Sequence, residues 1–274
     1  KKVGHTGTLD PEVTGILPIA IGDATRFIQY LPKIKTYYGI IQLGIKTKTD
    51  DIHGEIIKKT NWPILSFEEL DKHLDSFRGN INQVPPKVSS VHVNGERAYK
   101  KLFRNEEFEL LPRSISIDKL ILKEWDPIKG LIHVNIKCSP GTYIRSLARD
   151  LGSAIGSEGC LFYLERTQSS GFDQKKSIRI EDLIKQGEDK NKFIIPILDT
   201  LKHLPGFIIN NHTDKSYWQT GRKIKCIESL IFHNKNQLTK TIKVIDDTNQ
   251  LLGIGNLIQG DTSYIQPKLV LNAK

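Results

Sequence analysis

An aspartate set among glycines, threonines and prolines is the feature of this chain best suited to chemistry. Lys2-Val3-Gly4-His5-Thr6-Gly7-Thr8-Leu9-Asp10-Pro11 is followed closely by Thr14, Gly15, Leu17 and Pro18. Glycine lets the backbone take φ above zero, while Pro11 fixes its own φ and holds Asp10 out of the helical region. Hydroxyls at Thr6, Thr8 and Thr14 can bond local backbone and hold such a loop without a metal or disulfide. An ionised carboxylate presented in this way can act as a nucleophile or remove a proton. Composition alone is equally compatible with a surface turn, since Asp-Pro and Gly-Thr clusters mark turns generally.

Further stretches repeat the pattern of reactive or aromatic residues beside glycine or proline. Lys35-Thr36-Tyr37 leads into Gly44, and Thr47, Thr49, Asp51 and Gly54 follow. Then come Gln83-Val84-Pro85-Pro86 with Ser89 and Gly95, Gly141-Thr142-Tyr143-Ile144-Arg145, and Tyr163-Leu164-Glu165-Arg166. In this order they resemble the TruB family of tRNA pseudouridine synthases, whose catalytic signature is G-H-T-G-x-L-D-P-x-x-T-G-x-L-P. The resemblance spans nearly the whole chain. It departs at Val88, where the family often has tyrosine, and at Ser90, where it often has alanine. The family also begins some tens of residues before Lys1-Lys2-Val3, and the sequence holds no methionine, so an N-terminal segment is expected to be missing.

The resemblance implies isomerisation of uridine to pseudouridine in the T loop of tRNA, at position 55. Asp10 matches the essential carboxylate and Arg145 the cation paired with it. Such a partner is what an enclosed carboxylate needs, because desolvation alone would favour its neutral form. Tyr37 matches the catalytic-site tyrosine that stacks on the target base, with a phenol able to handle the C5 proton. His5, Tyr143, Leu164 and Asp51 match residues bordering the bound nucleotide. Two other readings stay open: a guide-dependent RNA pseudouridine synthase subunit, and a tRNA-binding or folding protein without catalysis.

The elements that must position these residues can be read from periodicity. Ile16 to Ile21 reads as a buried strand and Asp23 to Leu31 as a short helix stopped by Pro32. Tyr37 to Leu43 is a β-branched and aromatic strand. Ser66 and Glu69 form a capping box for a helix closed by Gly79, and Ala98 to Arg104 looks helical. Arg113 to Trp125 and Leu131 to Cys138 alternate as half-buried strands do, and Cys160 to Thr167 reads as another. Thr142 to Ile155 has helical spacing, with Thr142 as its cap and Tyr143 and Arg145 on its first turn; Ile180 to Gln186 is a further helix. Strands outnumber helices and rarely alternate with them, giving an α+β fold with a mixed, largely antiparallel sheet.

Prolines 196 and 205 suggest a boundary, dividing a catalytic domain, 1–200, from a C-terminal domain, 201–274. Strands at Lys240 to Asp246, Leu251 to Ile258 and Tyr264 to Leu271 make that domain resemble a PUA module, a small β-rich RNA-binding unit. Forty Lys and Arg against thirty-one Asp and Glu give a net +9 over 274 residues, which favours a polyanionic partner. The last 74 residues, with ten basic and five acidic side chains, hold +5 of it. Three dispersed cysteines indicate neither a disulfide framework nor a zinc site. No phosphate-binding glycine loop, ligand cluster, signal peptide or membrane-length apolar run is evident. The expectation is a cytoplasmic monomer that binds the tRNA T stem-loop, with no cofactor, metal or membrane.

Overall fold

The computed structural model describes residues 1–104, 106–185, 192–227, 231 and 240–273. Two compact units emerge, one made of 6–18 and 33–177, the other of 1–5, 19–32 and 178–274. The expected linear domains 1–200 and 201–274 therefore do not coincide with the units. Phe27 explains part of the difference: it is buried in a cluster with Leu201, Leu204, Ile254 and Leu269, all of the second unit.

The first unit is built on a seven-stranded sheet. Its order runs Phe172–Asp173, Gly159–Ser169, Lys35–Leu43, Leu131–Cys138, Arg113–Asp126, Gly79–Gln83, all antiparallel, and Thr14–Gly15 adds to Gly159–Ser169 in parallel. The Lys35–Leu43 strand alternates so that Tyr37, Gly39, Ile41 and Leu43 turn inward. Ile132, Val134 and Ile136 of the neighbouring strand join them in the core. The helix Ile144–Ala154 lays Ile144, Leu147, Ala148 and Leu151 into the same core. Burying each large aliphatic side chain contributes about 1.5–3 kcal/mol.

Close backbone approach seats this helix. A Cβ on Gly152 would lie 2.4 Å from the Gly159 nitrogen, and one on Gly159 would lie 2.4 Å from the Ala148 oxygen. The start of the helix differs from expectation. Tyr143 is the N-cap, with extended backbone and no capping side chain of its own, and the helix begins at Ile144. Gln83 replaces the expected Thr142: its Oε1 accepts from the Tyr143 N–H at 2.8 Å and its Nε2 donates to the Tyr143 carbonyl at 3.1 Å.

Other elements follow the sequence closely. The Ser66–Glu69 capping box is formed, and it opens the helix Phe67–Asp75. That helix is capped at Ser76, so Gly79 starts a strand instead of closing the helix. Ala98–Phe103 is helical.

In the second unit, Val3–His5 pairs with Ile19–Ile21. The expected buried strand over Ile16 to Ile21 is thus cut to its last three residues, whose Ile19 and Ile21 are exposed while Ile16 is buried. Gly22–Tyr30 is a 3-10 helix. A five-stranded sheet orders Gly206–Ile209, Thr241–Asp246, Leu251–Ile258, Tyr264–Val270 and Ile224–Lys225. It contains the three expected strands and two that the sequence reading missed. Trp218 fills its core and donates to the Leu252 carbonyl at 3.0 Å. Ile180–Lys185 is helical; Gln186 lies outside the described residues.

Candidate active site

Residues 6–18 are a loop held by one buried arginine. Arg166 is fully buried on the strand Gly159–Ser169. Its Nε donates to the Ile16 carbonyl at 2.7 Å, its Nη2 to Gly7 at 3.0 Å and its Nη1 to Thr8 at 3.3 Å. The Ile16 N–H donates in return to the Arg166 carbonyl at 2.8 Å. Gly15 permits this approach: its φ is +109°, and a Cβ there would lie 2.3 Å from the Arg166 oxygen. A planar guanidinium with five donors suits this work, because three carbonyls facing one point need several fixed N–H directions.

Asp10 stands on the loop so fixed. Its side chain is 55% exposed, and Oδ2 lies 2.9 Å from Nη2 of Arg145. Oδ1 has no hydrogen bond or ion pair among the described residues. Arg145, on the first turn of Ile144–Ala154, is only 8% exposed. Its aim is fixed from behind: Nη1 donates to the Thr49 carbonyl at 3.0 Å and Nη2 to Val88 at 3.1 Å. The fixed guanidinium orients the carboxylate as its ion-pair partner.

The turn that supplies Thr49 also carries Asp51. Asp51 Oδ2 lies 3.7 Å from Arg145 Nη1, while its Oδ1 accepts from Thr49 Oγ1 at 2.9 Å and from the His53 N–H at 3.1 Å. Asp50, with φ of +60°, is buried beside Arg149, whose Nη1 is 2.8 Å from its Oδ2. Burial pushes the Asp50 carboxyl up, and Arg149 draws it back. Arg149 Nη2 and Ser146 Oγ both donate to the Val84 carbonyl, at 2.9 and 2.8 Å. The helix that aims Arg145 is thereby tied to two loops at once.

Tyr37 faces Arg166 directly across the sheet and Ile136 on its other side. It is buried, and its phenol is pushed up to about 12, first by burial, then by the nearby Cys138 and Asp10, with Arg166 opposing. Leu164 belongs to the same cluster as Tyr37 and Ile144. Tyr143 is half-buried at the helix N-cap, and burial raises its phenol as well.

Asp10, Arg145, Tyr37, Tyr143, Leu164 and Asp51 thus all fall in one unit. His5 is assigned to the other, exposed on Val3–His5 opposite Ile19. Sequence reasoning left Arg166, Gln83 and the Asp50–Arg149 pair without roles. The first two stand within the motifs already quoted, but nothing in spacing reveals that an arginine binds carbonyls about 150 residues away. Among the described residues no group of three His, Cys, Asp or Glu could hold a metal ion, and no helix is long and apolar enough to cross a membrane.

The chain is similar to known proteins along its whole length. The chain is 60% identical over 275 residues to tRNA pseudouridine synthase B of Prochlorococcus marinus (strain MIT 9515), covering 100% of this chain and 90% of the relative. It is 45% identical over 279 residues to tRNA pseudouridine synthase B of Synechococcus sp. (strain CC9311), covering 100% and 89%. The structure of a Cbf5-Nop10-Gar1 complex matches with a TM-score of 0.72 and 23% identity, over 99% of this chain and 76% of that one. An H/ACA RNP bound to a substrate RNA containing 2'-deoxyuridine matches with a TM-score of 0.70 and 21% identity, over 98% and 76%. These two likenesses concern the fold. Residues 1–144 match the family described as TruB family pseudouridylate synthase (N terminal domain). With more than half its length in that match and a 60% identical relative along all of it, the chain belongs to the TruB family of pseudouridylate synthases.

Proposed function

We propose that this protein converts uridine to pseudouridine at position 55 in the T loop of tRNA, working alone as a cytoplasmic monomer without metal or cofactor. The observation that carries this reading is the Asp10–Arg145 pair at 2.9 Å, with one carboxylate oxygen held and the other open. In the reaction the C1′–N1 bond breaks, uracil turns, C5 joins C1′, and the C5 proton leaves while N1 gains one. The isomerisation is redox-neutral. Its central demand is an ionised carboxylate at the ribose, and on this reading Asp10 Oδ1 attacks there or removes a ribose proton.

Tyr37 stacks on the extruded base, an interaction worth about 1–3 kcal/mol. At about 12 its phenol is protonated at neutral pH. It therefore accepts the C5 proton only as it passes its own onward. Leu164 and Tyr143 wall the base pocket, and Asp51 steadies Arg145. Extrusion costs a few kcal/mol, which phosphate contacts of a +9 chain help to offset. Residues 201–274 act as a PUA-like RNA-binding domain. A depression of about 350 Å³ edged by Lys240, Lys268, Asn256 and Gln266 supports that role.

The test is purified protein with an unmodified tRNA transcript and no guide RNA, followed by carbodiimide mapping. Pseudouridine at position 55 is the expected result. Binding with no pseudouridine, or activity only with added guide RNA, overturns the reading.

A further inference from the structure

Two cations meet beneath the Asp10 loop without a carboxylate between them. Arg166 donates to three carbonyls and also bonds the Tyr37 phenol. Lys35 is half-buried at the start of Lys35–Leu43, opposite Cys138 on one side and Ser169 on the other. Its Nζ makes no hydrogen bond or ion pair among the described residues. It lies against the loop: a Cβ on Gly7 would sit 2.9 Å from it. Partial burial, then the Arg166 charge, hold the ammonium below the usual lysine range. An unpaired, partly desolvated charge next to a like charge is costly unless an anion reaches it from outside.

Position says which anion. Lys35 and Tyr37 are two residues apart on one strand, hence on the same face and about 6.6 Å apart along it. That spacing is of the order of the distance from a stacked base across its ribose to the adjoining phosphate. We propose that Lys35 binds the backbone phosphate next to the uridine held at Tyr37, so that the Asp10 loop completes its charge balance only when RNA is bound. This rests on the function proposed above. A compact ammonium binds phosphate as a point charge.

The experiment measures binding of a T stem-loop RNA as a function of salt for the wild type, Lys35→Gln and Lys35→Arg, with pseudouridine formation followed in parallel. One lost phosphate contact lowers the slope of log K against log salt by about 0.7–0.9. Between 50 and 200 mM salt, the wild type should then lose about threefold more affinity than Lys35→Gln, and Lys35→Arg should follow the wild type. A second arm keeps the wild-type protein and places one neutral methylphosphonate at each phosphate flanking the target uridine. One position should weaken binding to the wild type and leave Lys35→Gln indifferent. An unchanged slope in Lys35→Gln, or no sensitive phosphate in the wild type, overturns the proposal. If pseudouridine still forms in that case, only the role of Lys35 falls; if the wild type makes none, the function falls with it.

Discussion

Replacing Arg166 by methionine keeps much of the side-chain volume and removes the three side-chain bonds from the sheet to the Asp10 loop, leaving the backbone bond from Ile16 and the short parallel pairing at Thr14–Gly15. The bonds to Ile16 at 2.7 Å and Gly7 at 3.0 Å are well formed, and the one to Thr8 at 3.3 Å is weak. Hydrogen bonds to charged groups contribute about 1.5–3 kcal/mol each, so the two good ones set a ceiling of about 3–6 kcal/mol. Water entering behind the loop recovers part of this, and relief from burying a charge recovers more. A net loss of about 3 kcal/mol lowers Tm by about 6–12 °C for a unit of this size. The fold should survive, since its core lies elsewhere. Catalysis should suffer more: displacing a reacting group by about 1 Å costs about 100-fold. Single-turnover release of tritium from C5-labelled tRNA, run well below the new Tm, should show that drop, with RNA affinity changed much less. A folded Arg166→Met protein with the wild-type rate would refute the claim that Arg166 sets the position of Asp10.

Arg145→Lys keeps the charge but cannot reach Asp10, Thr49 and Val88 together, and kcat should fall about 10- to 100-fold in the same assay. Gly15→Ala puts a Cβ 2.3 Å from the Arg166 oxygen at a φ of +109°, so thermal unfolding should come earlier and activity fall with it. Tyr37 supplies a pH test. Its folded pKa of about 12 exceeds the ordinary value of 10.0, so the stability it contributes is complete below pH 10 and lost as pH rises toward 12. The full loss is about 2–3 kcal/mol, and denaturant unfolding of Tyr37→Phe should lack that part of the alkaline decline.

Much of the site was legible because its chemistry is confined to short motifs. The loop around Asp10, the helix start bearing Arg145 and the strand bearing Tyr37 each carry a local signal of glycine, proline or alternation. Partners distant in sequence gave none. Gln83 displaces Thr142 at the helix start from 60 residues away, and its geometry depends on how the Gly79–Gln83 strand meets the helix. Ile19 and Ile21 read as buried because strand propensity does not say which face is covered; in the structure they pair with Val3–His5 and stay exposed. The prolines near residue 200 mark irregular chain, but they could not show that 19–32 joins the later unit through Phe27. Asp50 and Arg149, 99 residues apart, meet only after the sheet has formed.

The central claim is that the open oxygen of Asp10, with its partner fixed by Arg145, acts on the ribose of the target uridine. Asp10→Asn is nearly isosteric, removing the charge and turning one acceptor oxygen into a donor, so the most direct measurement is tritium release by this variant from C5-labelled tRNA, with RNA binding measured on the same preparation. The account predicts binding close to that of the wild type and no detectable release. Substantial release by a folded, RNA-binding Asp10→Asn protein would contradict it.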